Sequence, residues 1–156
     1  MYKFIIQDNE EFRIDESYLS AYEKKYEIKF PRALREFYLH HHGADIEECS
    51  FDSSKYNGLE FSVVNLLPLD NVEHTVGGNI VRMREFADVN RKLGLLKITE
   101  LFENYIPFAD DIEDEMFYWD KRDEKVYFLS WQNPEHSMLI SDSVDEFFEL
   151  MNESIE

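Results

Sequence analysis

Ile106-Pro107-Phe108-Ala109-Asp110-Asp111, with the two runs after it, Met116-Phe117-Tyr118-Trp119 and Lys125-Val126-Tyr127-Phe128-Leu129-Ser130-Trp131, decides the fold. Aromatic and β-branched residues fill both runs. The polar stretch between them, Asp120-Lys121-Arg122-Asp123-Glu124, is of turn type, so the runs predict a β-hairpin at the centre of a sheet. The acidic stretch Ile112-Glu113-Asp114-Glu115 predicts the turn that leads into it. The rest of the chain reads as material packed onto that sheet.

Towards the C-terminus, Gln132-Asn133-Pro134-Glu135-His136 is a turn and Ser137-Met138-Leu139-Ile140 a short third strand. Ser143-Val144-Asp145-Glu146 is a capping box, in which Glu146 donates its N–H to the Ser143 hydroxyl and reaches back with its carboxylate. The helix it opens sets Val144, Phe147, Phe148, Met151 and Ile155 on one face.

Towards the N-terminus, a short helix is expected from Ile98 to Asn104. Val72, Val76, Ile80, Met83 and Ala87 fit an earlier helical face. Gly77-Gly78 interrupts it and predicts either a break or a helix starting near Asn79. The alternation of Leu59, Phe61 and Val63 predicts a strand from Leu59 to Leu67, entered through Asn57-Gly58 and ended by Pro68. Residues 44–56 read as loop. Leu34, Phe37, Tyr38 and His41 form an amphipathic stripe, with Pro31 suited to the first helical position and Gly43 to a left-handed stop. Before it, Asp15 caps a helix from Glu16 to Tyr26 carrying Leu19, Tyr22 and Tyr26, widened by Tyr18. A first strand is expected at Tyr2 to Ile6, with Tyr2, Phe4 and Ile6 sharing a face. The fold class is therefore α+β in one domain, residues 1–156. It is a mostly antiparallel sheet of about four to six strands, flanked by N-terminal helices and a C-terminal helix.

Composition narrows the function. A hydrophobic fraction of 44% and an aromatic fraction of 15% exclude a disordered chain. The net charge of -18, from 16 basic and 34 acidic residues, argues against direct binding of nucleic acid or an anionic membrane. Two readings of the acidity stand side by side: attraction of a basic protein partner, or solubility alone. The single cysteine, Cys49, cannot form an intramolecular disulfide and fits a reducing compartment. The apolar run at the N-terminus is too short for a signal peptide, and a cytoplasmic protein is expected.

In order along the chain, these pieces resemble the SUKH superfamily, which includes fungal cell-wall assembly regulators and many bacterial immunity proteins. The resemblance runs from Leu19 and Tyr22 through Ile28-Lys29-Phe30-Pro31, similar to the family's Leu-Pro step, to Phe37 and Gly43. It continues in Ile106-Pro107-Phe108-Ala109-Asp110, similar to the family's Pro-Phe-Ala-x-Asp signature, and in Tyr118, Asp120, Val126, Tyr127 and Trp131. It ends in Ser143-Val144-Asp145-Glu146-Phe147-Phe148, similar to a terminal Ser-Phe-x-x-Phe helix. Two departures fall in loops. His42-Gly43-Ala44 stands for Asn-Gly-Gly, and Asp114-Glu115 stands where a glycine is common. The resemblance implies an immunity or antitoxin protein that binds and blocks a cognate toxin, often a nuclease, with no enzymatic activity and no cofactor. Partners differ across the family, so contact residues do not transfer.

On this reading the partner-binding candidates are Asp110, Asp111, Glu113, Asp114 and Glu115, as carboxylates offered to Lys and Arg, with Trp119 and Trp131 as aromatic anchors. The bland alternatives are a solvated turn, tied by an Asp110 hydrogen bond to the backbone, and two core tryptophans. The acidic run lacks the spacing of a calcium loop. His40-His41-His42 cannot converge on one metal, because adjacent helical side chains diverge by about 100°; His41 is expected to face the core. Neither Cys49, the serines nor Gly77-Gly78-Asn79 sits in a nucleophile or phosphate-loop motif. Two other functions stay open: a scaffold or regulator with no toxin partner, and a hydrolase using two carboxylates held in a cleft.

Overall fold

The two central strands are apolar up to a buried terminal aspartate in each, because the sheet is covered on both faces. The structure, a computed structural model, describes residues 2–53, 55, 59–69, 75–130 and 132–154. The order is β1 (Ile5–Gln7), a 3-10 turn (Glu10–Phe12), α1 (Glu16–Tyr26), α2 (Arg32–His41), β2 (Asp45–Ile46), β3 (Cys49–Asp52), β4 (Glu60–Val63) and β5 (Asn65–Leu66). Then come α3 (Val76–Lys92), α4 (Leu96–Asn104), β6 (Tyr105–Asp110), β7 (Met116–Asp120), β8 (Val126–Leu129), β9 (Met138–Ser141) and α5 (Val144–Ser154). The α+β class holds, with an antiparallel five-stranded sheet in the order β5-β6-β7-β8-β9. Two small antiparallel pairs, β1-β2 and β3-β4, sit beside it.

Side-chain alternation along β7 divides the interior. Phe117 and Trp119 enter the main core with Leu34, Phe37, Phe108, Phe147 and Met151, beneath α1, α2 and α5. Met116 and Tyr118 point the other way, into a smaller core with Met83, Ala87 and Phe102, beneath α3 and α4. All of β6 and β7 is buried. A register shift between Pro107 and Ala109 bulges β6 where proline offers no N–H to the ladder.

Several predicted elements stand as read. Asp15 accepts the Tyr18 N–H at 2.8 Å and starts α1. Ser143 accepts the Glu146 N–H at 3.1 Å, although Glu146 reaches back to the N–H of Asp142 rather than Ser143. Gly43 has φ 74, and a Cβ there would lie 2.6 Å from Phe12 Cβ, so the stop is both left-handed and crowded. Pro31 is the N-cap of α2, one position before the expected one.

Other expectations are corrected. Strand β1 begins at Ile5, and Ile6 is 65% exposed while Phe4 is buried. The expected loop at 44–56 holds β2 and β3, and the single strand expected over Leu59 to Leu67 is split between two sheets. Helix α3 runs through both glycines from the Thr75 cap, and Gly77 is needed there: its Cβ would lie 2.6 Å from the Tyr22 and Tyr26 hydroxyls. Asn57-Gly58, Val72, Trp131 and Ile155 lie outside the described residues.

Candidate partner-binding surface

The turn between β6 and β7 is built by its first carboxylate. Asp111 Oδ1 accepts the N–H groups of Glu113 and Glu115, each at 2.9 Å, while the Asp111 N–H donates to the Glu115 carbonyl at 2.9 Å. The sequence assigned this tie to Asp110; the residue that makes it is Asp111. Asp114 takes the left-handed conformation, φ 61, at the position where glycine would cost least. The chain thus pushes Ile112, 74% exposed, out at the tip with Glu113 and Asp114 beside it. Glu115 is half-buried and accepts from Ser130 Oγ at 3.1 Å. Burial raises the Asp111 pKa. The two backbone hydrogen bonds oppose that rise, and the Glu115 and Glu113 charges add to it.

This turn is a ridge between two hollows. On one side a groove of about 660 Å³ is lined by residues 11–14, 42–45 and 65–68, with Tyr18, Thr75, Asp110 and Asp114. On the other a hollow of about 390 Å³ is lined by residues 59–62 and 111–113, with Phe128 and Met138. Seven of these lining residues are acidic, namely Glu11, Asp45, Asp110 and Asp114 in the groove and Glu60, Asp111 and Glu113 in the hollow. The basic residue among them is Arg13. A concave surface with that balance concentrates negative potential, and a cationic protein would meet the exposed Ile112 as its first apolar contact.

The groove is held open by His42. Its Nε2 accepts the Leu69 N–H at 2.9 Å, so the ring proton is on Nδ1 and donates to the Phe12 carbonyl. One imidazole thus ties the 3-10 turn to the segment that follows β5. His42 is the buried histidine, while His41 is half-buried: its ring faces the core against Phe37 at 5.8 Å, as expected, and its Nδ1 lies 2.7 Å from Asp8 Oδ1. His40 faces the Glu36 carbonyl. Three adjacent imidazoles therefore point to three separate places. Among the described residues, no group of three His, Cys, Asp or Glu side chains could hold a metal ion.

The predicted site residues separate by depth. Glu113 and Asp114 are exposed, and Asp111 and Glu115 are half-buried on the ridge. Asp110 is 3% exposed and accepts from Asn65 Nδ2 at 2.9 Å, which removes it from the turn's surface and makes it part of the groove wall. Trp119 is 1% exposed and packs on Phe30 at 5.3 Å, so it is a core residue and not a surface anchor. Trp131 lies outside the described residues. Cys49 is buried, and burial raises its pKa, the reverse of a reactive thiol. Sequence reasoning missed Phe12, Tyr18, His42 and Leu66 as groove residues, because they come from three distant segments and share no spacing.

The profile of the SMI1 / KNR4 family (SUKH-1) matches residues 13–150. The chain belongs to the SMI1 / KNR4 family. A search of curated proteins finds no match. The SUKH-1 span begins beside the groove at Arg13, takes in α1, α2, the whole five-stranded sheet and the acidic ridge, and ends inside α5. Membership of SUKH-1 is consistent with an immunity protein. No helix among the described residues is long and apolar enough to cross a membrane.

Proposed function

We propose that this SUKH-1 domain is an immunity protein that binds a basic toxin domain, a nuclease by expectation, and blocks it by stoichiometric occlusion. The observation that supports the reading best is the ridge at residues 111–115, with an exposed isoleucine at its tip and two hollows lined by seven acidic residues against one arginine. Such a surface resembles a nucleic-acid backbone in charge, which is what the cationic active-site cleft of a nuclease attracts. Much of the ridge is pre-ordered by the Asp111 hydrogen bonds, so little conformational entropy is lost on binding. A stable complex needs roughly 800 Å² from each partner, so contacts would extend from the ridge into both hollows.

The test is co-purification and inhibition with basic nuclease toxin domains, those encoded near the gene first. A 1:1 complex that abolishes the toxin's activity, weakened by Glu113→Lys with Asp114→Lys, is the expected result. Full protection by the double variant would contradict this surface. Failure to bind any neighbouring toxin would favour the alternative, a cytoplasmic scaffold or regulatory domain without a toxin.

A further inference from the structure

Eleven large hydrophobic residues are exposed among the described residues, and six of them fall within one stretch: Val81, Phe86, Val89, Leu93, Leu95 and Leu96. Leu93 is 69% and Leu96 67% exposed. The inner face of α3 is already satisfied by the sheet through Ile80, Met83 and Ala87, and of the outer side chains Phe86 rests its ring on Phe102 at 5.8 Å while still 41% exposed. A concentration of exposed apolar side chains of this kind marks an interface.

Charge identifies the occupant. Residues 76–104 carry five basic and four acidic side chains, net +1, while the remaining 11 basic and 30 acidic residues give the rest of the chain -19. Two copies meeting through the acidic ridge would set strong like charges together. Through this corner they would not. On α3, Asp88 and Arg91 pair within the chain at 2.8 Å, which leaves Glu85 and Lys92 as the complementary pair that a second copy could meet. A two-fold axis between Asp88 and Val89 would run the two helices antiparallel and set Glu85 opposite Lys92 of the second copy. The same axis carries Val81 towards the Leu93-Gly94-Leu95-Leu96 corner of that copy.

We infer that the α3–α4 corner is a self-association surface, made for the same face of a second copy of this chain. It is separate from the acidic ridge, and it stands whether or not the immunity reading does. Because each copy carries -18, the two repel at long range, and added salt must strengthen their association rather than weaken it.

Sedimentation velocity of the intact chain, across concentration and at low and high ionic strength, tests the inference. The expected result is a monomer–dimer equilibrium that shifts to dimer with concentration and with salt. Leu93→Glu with Leu96→Glu should raise the dimer Kd by at least about tenfold, or 1.4 kcal/mol, with the thermal melt of the monomer retained. Glu85→Lys alone should weaken the dimer, and Glu85→Lys with Lys92→Glu should restore it. A monomer at every concentration overturns the inference, as does a dimer indifferent to the leucine substitutions. Loss that the double charge swap fails to restore overturns the antiparallel arrangement.

Discussion

The acidic ridge between β6 and β7 and the apolar corner between α3 and α4 solve opposite problems on one domain. The ridge gathers charge, fixes it with short-range backbone hydrogen bonds from Asp111, and leaves one isoleucine at its tip. The corner gathers exposed leucines and valines and keeps its charge near zero in a chain of -18. Association through the ridge would be steered by field and weakened by salt. Association through the corner would be driven by apolar area and aided by screening. The comparison teaches that net charge alone is a poor guide to function here. What matters is that the charge is unevenly spread, and that the two regions lie at opposite ends of that unevenness.

The strongest way to break the comparison is to remove what both regions stand on. Trp119→Ala opens a cavity between Phe30 and Phe108 in the main core and should cost about 3–5 kcal/mol, read as a shift in the denaturant midpoint. Loss of that size should degrade both surfaces together, because the five-stranded sheet positions them both. His42→Ala should act on one side only. It strands the buried Leu69 N–H and the Phe12 carbonyl, at a cost of about 2 kcal/mol. Hydrogen exchange should speed at Leu69 while amides of α3 keep their relative protection.

Finer substitutions sharpen the account of the ridge. Asp111→Ala deletes two backbone hydrogen bonds and should cost about 1 kcal/mol, whereas Asp111→Asn keeps the acceptor and should cost less. The two also separate in pH. The Asp111 carboxyl has a raised folded pKa, so the folded state binds its proton more readily than the unfolded chain does. Its contribution to stability must therefore fall as pH rises from the unfolded value, about 3.9, through the folded one. Melts of the native chain against Asp111→Asn across that window should show the difference, with the native chain losing ground as pH rises. A cationic partner would pull the pKa back down, so binding should release protons. The smallest effect is at Asp114. Asp114→Gly relieves a left-handed aspartate, and the melt should show it neutral to about 0.5 kcal/mol stabilising, while partner binding weakens by one lost charge.

Much of this was legible in the chain itself, for reasons that can be named. Helix α1 was readable to the residue because a cap at Asp15 and a stripe at Leu19, Tyr22 and Tyr26 agree. The strands β7 and β8 were readable because aromatic and β-branched residues fill both runs and a charged turn separates them. For helix α3, Gly77-Gly78 predicts either a break or a start near Asn79; only the approach of Gly77 to two tyrosine hydroxyls explains why glycine sits inside the first turn. Strands β2 and β3 escaped because two and four residues carry too little alternation, and both take their order from pairing with other strands. On the surface, the ridge announced itself by composition, but its depth did not. Nothing local distinguishes Asp110, turned to Asn65, from Asp111, turned to its own loop. The groove and the exposed corner were invisible for a further reason: each depends on which faces remain uncovered once the helices have packed.

The proposed capture of a basic partner by the ridge is tested most directly by the association rate of a cognate toxin domain as a function of ionic strength. That rate should be measured by stopped flow with the native chain and with Glu113→Lys plus Asp114→Lys. The native rate should fall steeply with salt. The double variant should associate at least about tenfold more slowly at low salt and converge on the native rate when screening is complete. A native rate indifferent to ionic strength, or a variant that matches the native chain at low salt, would contradict the central claim.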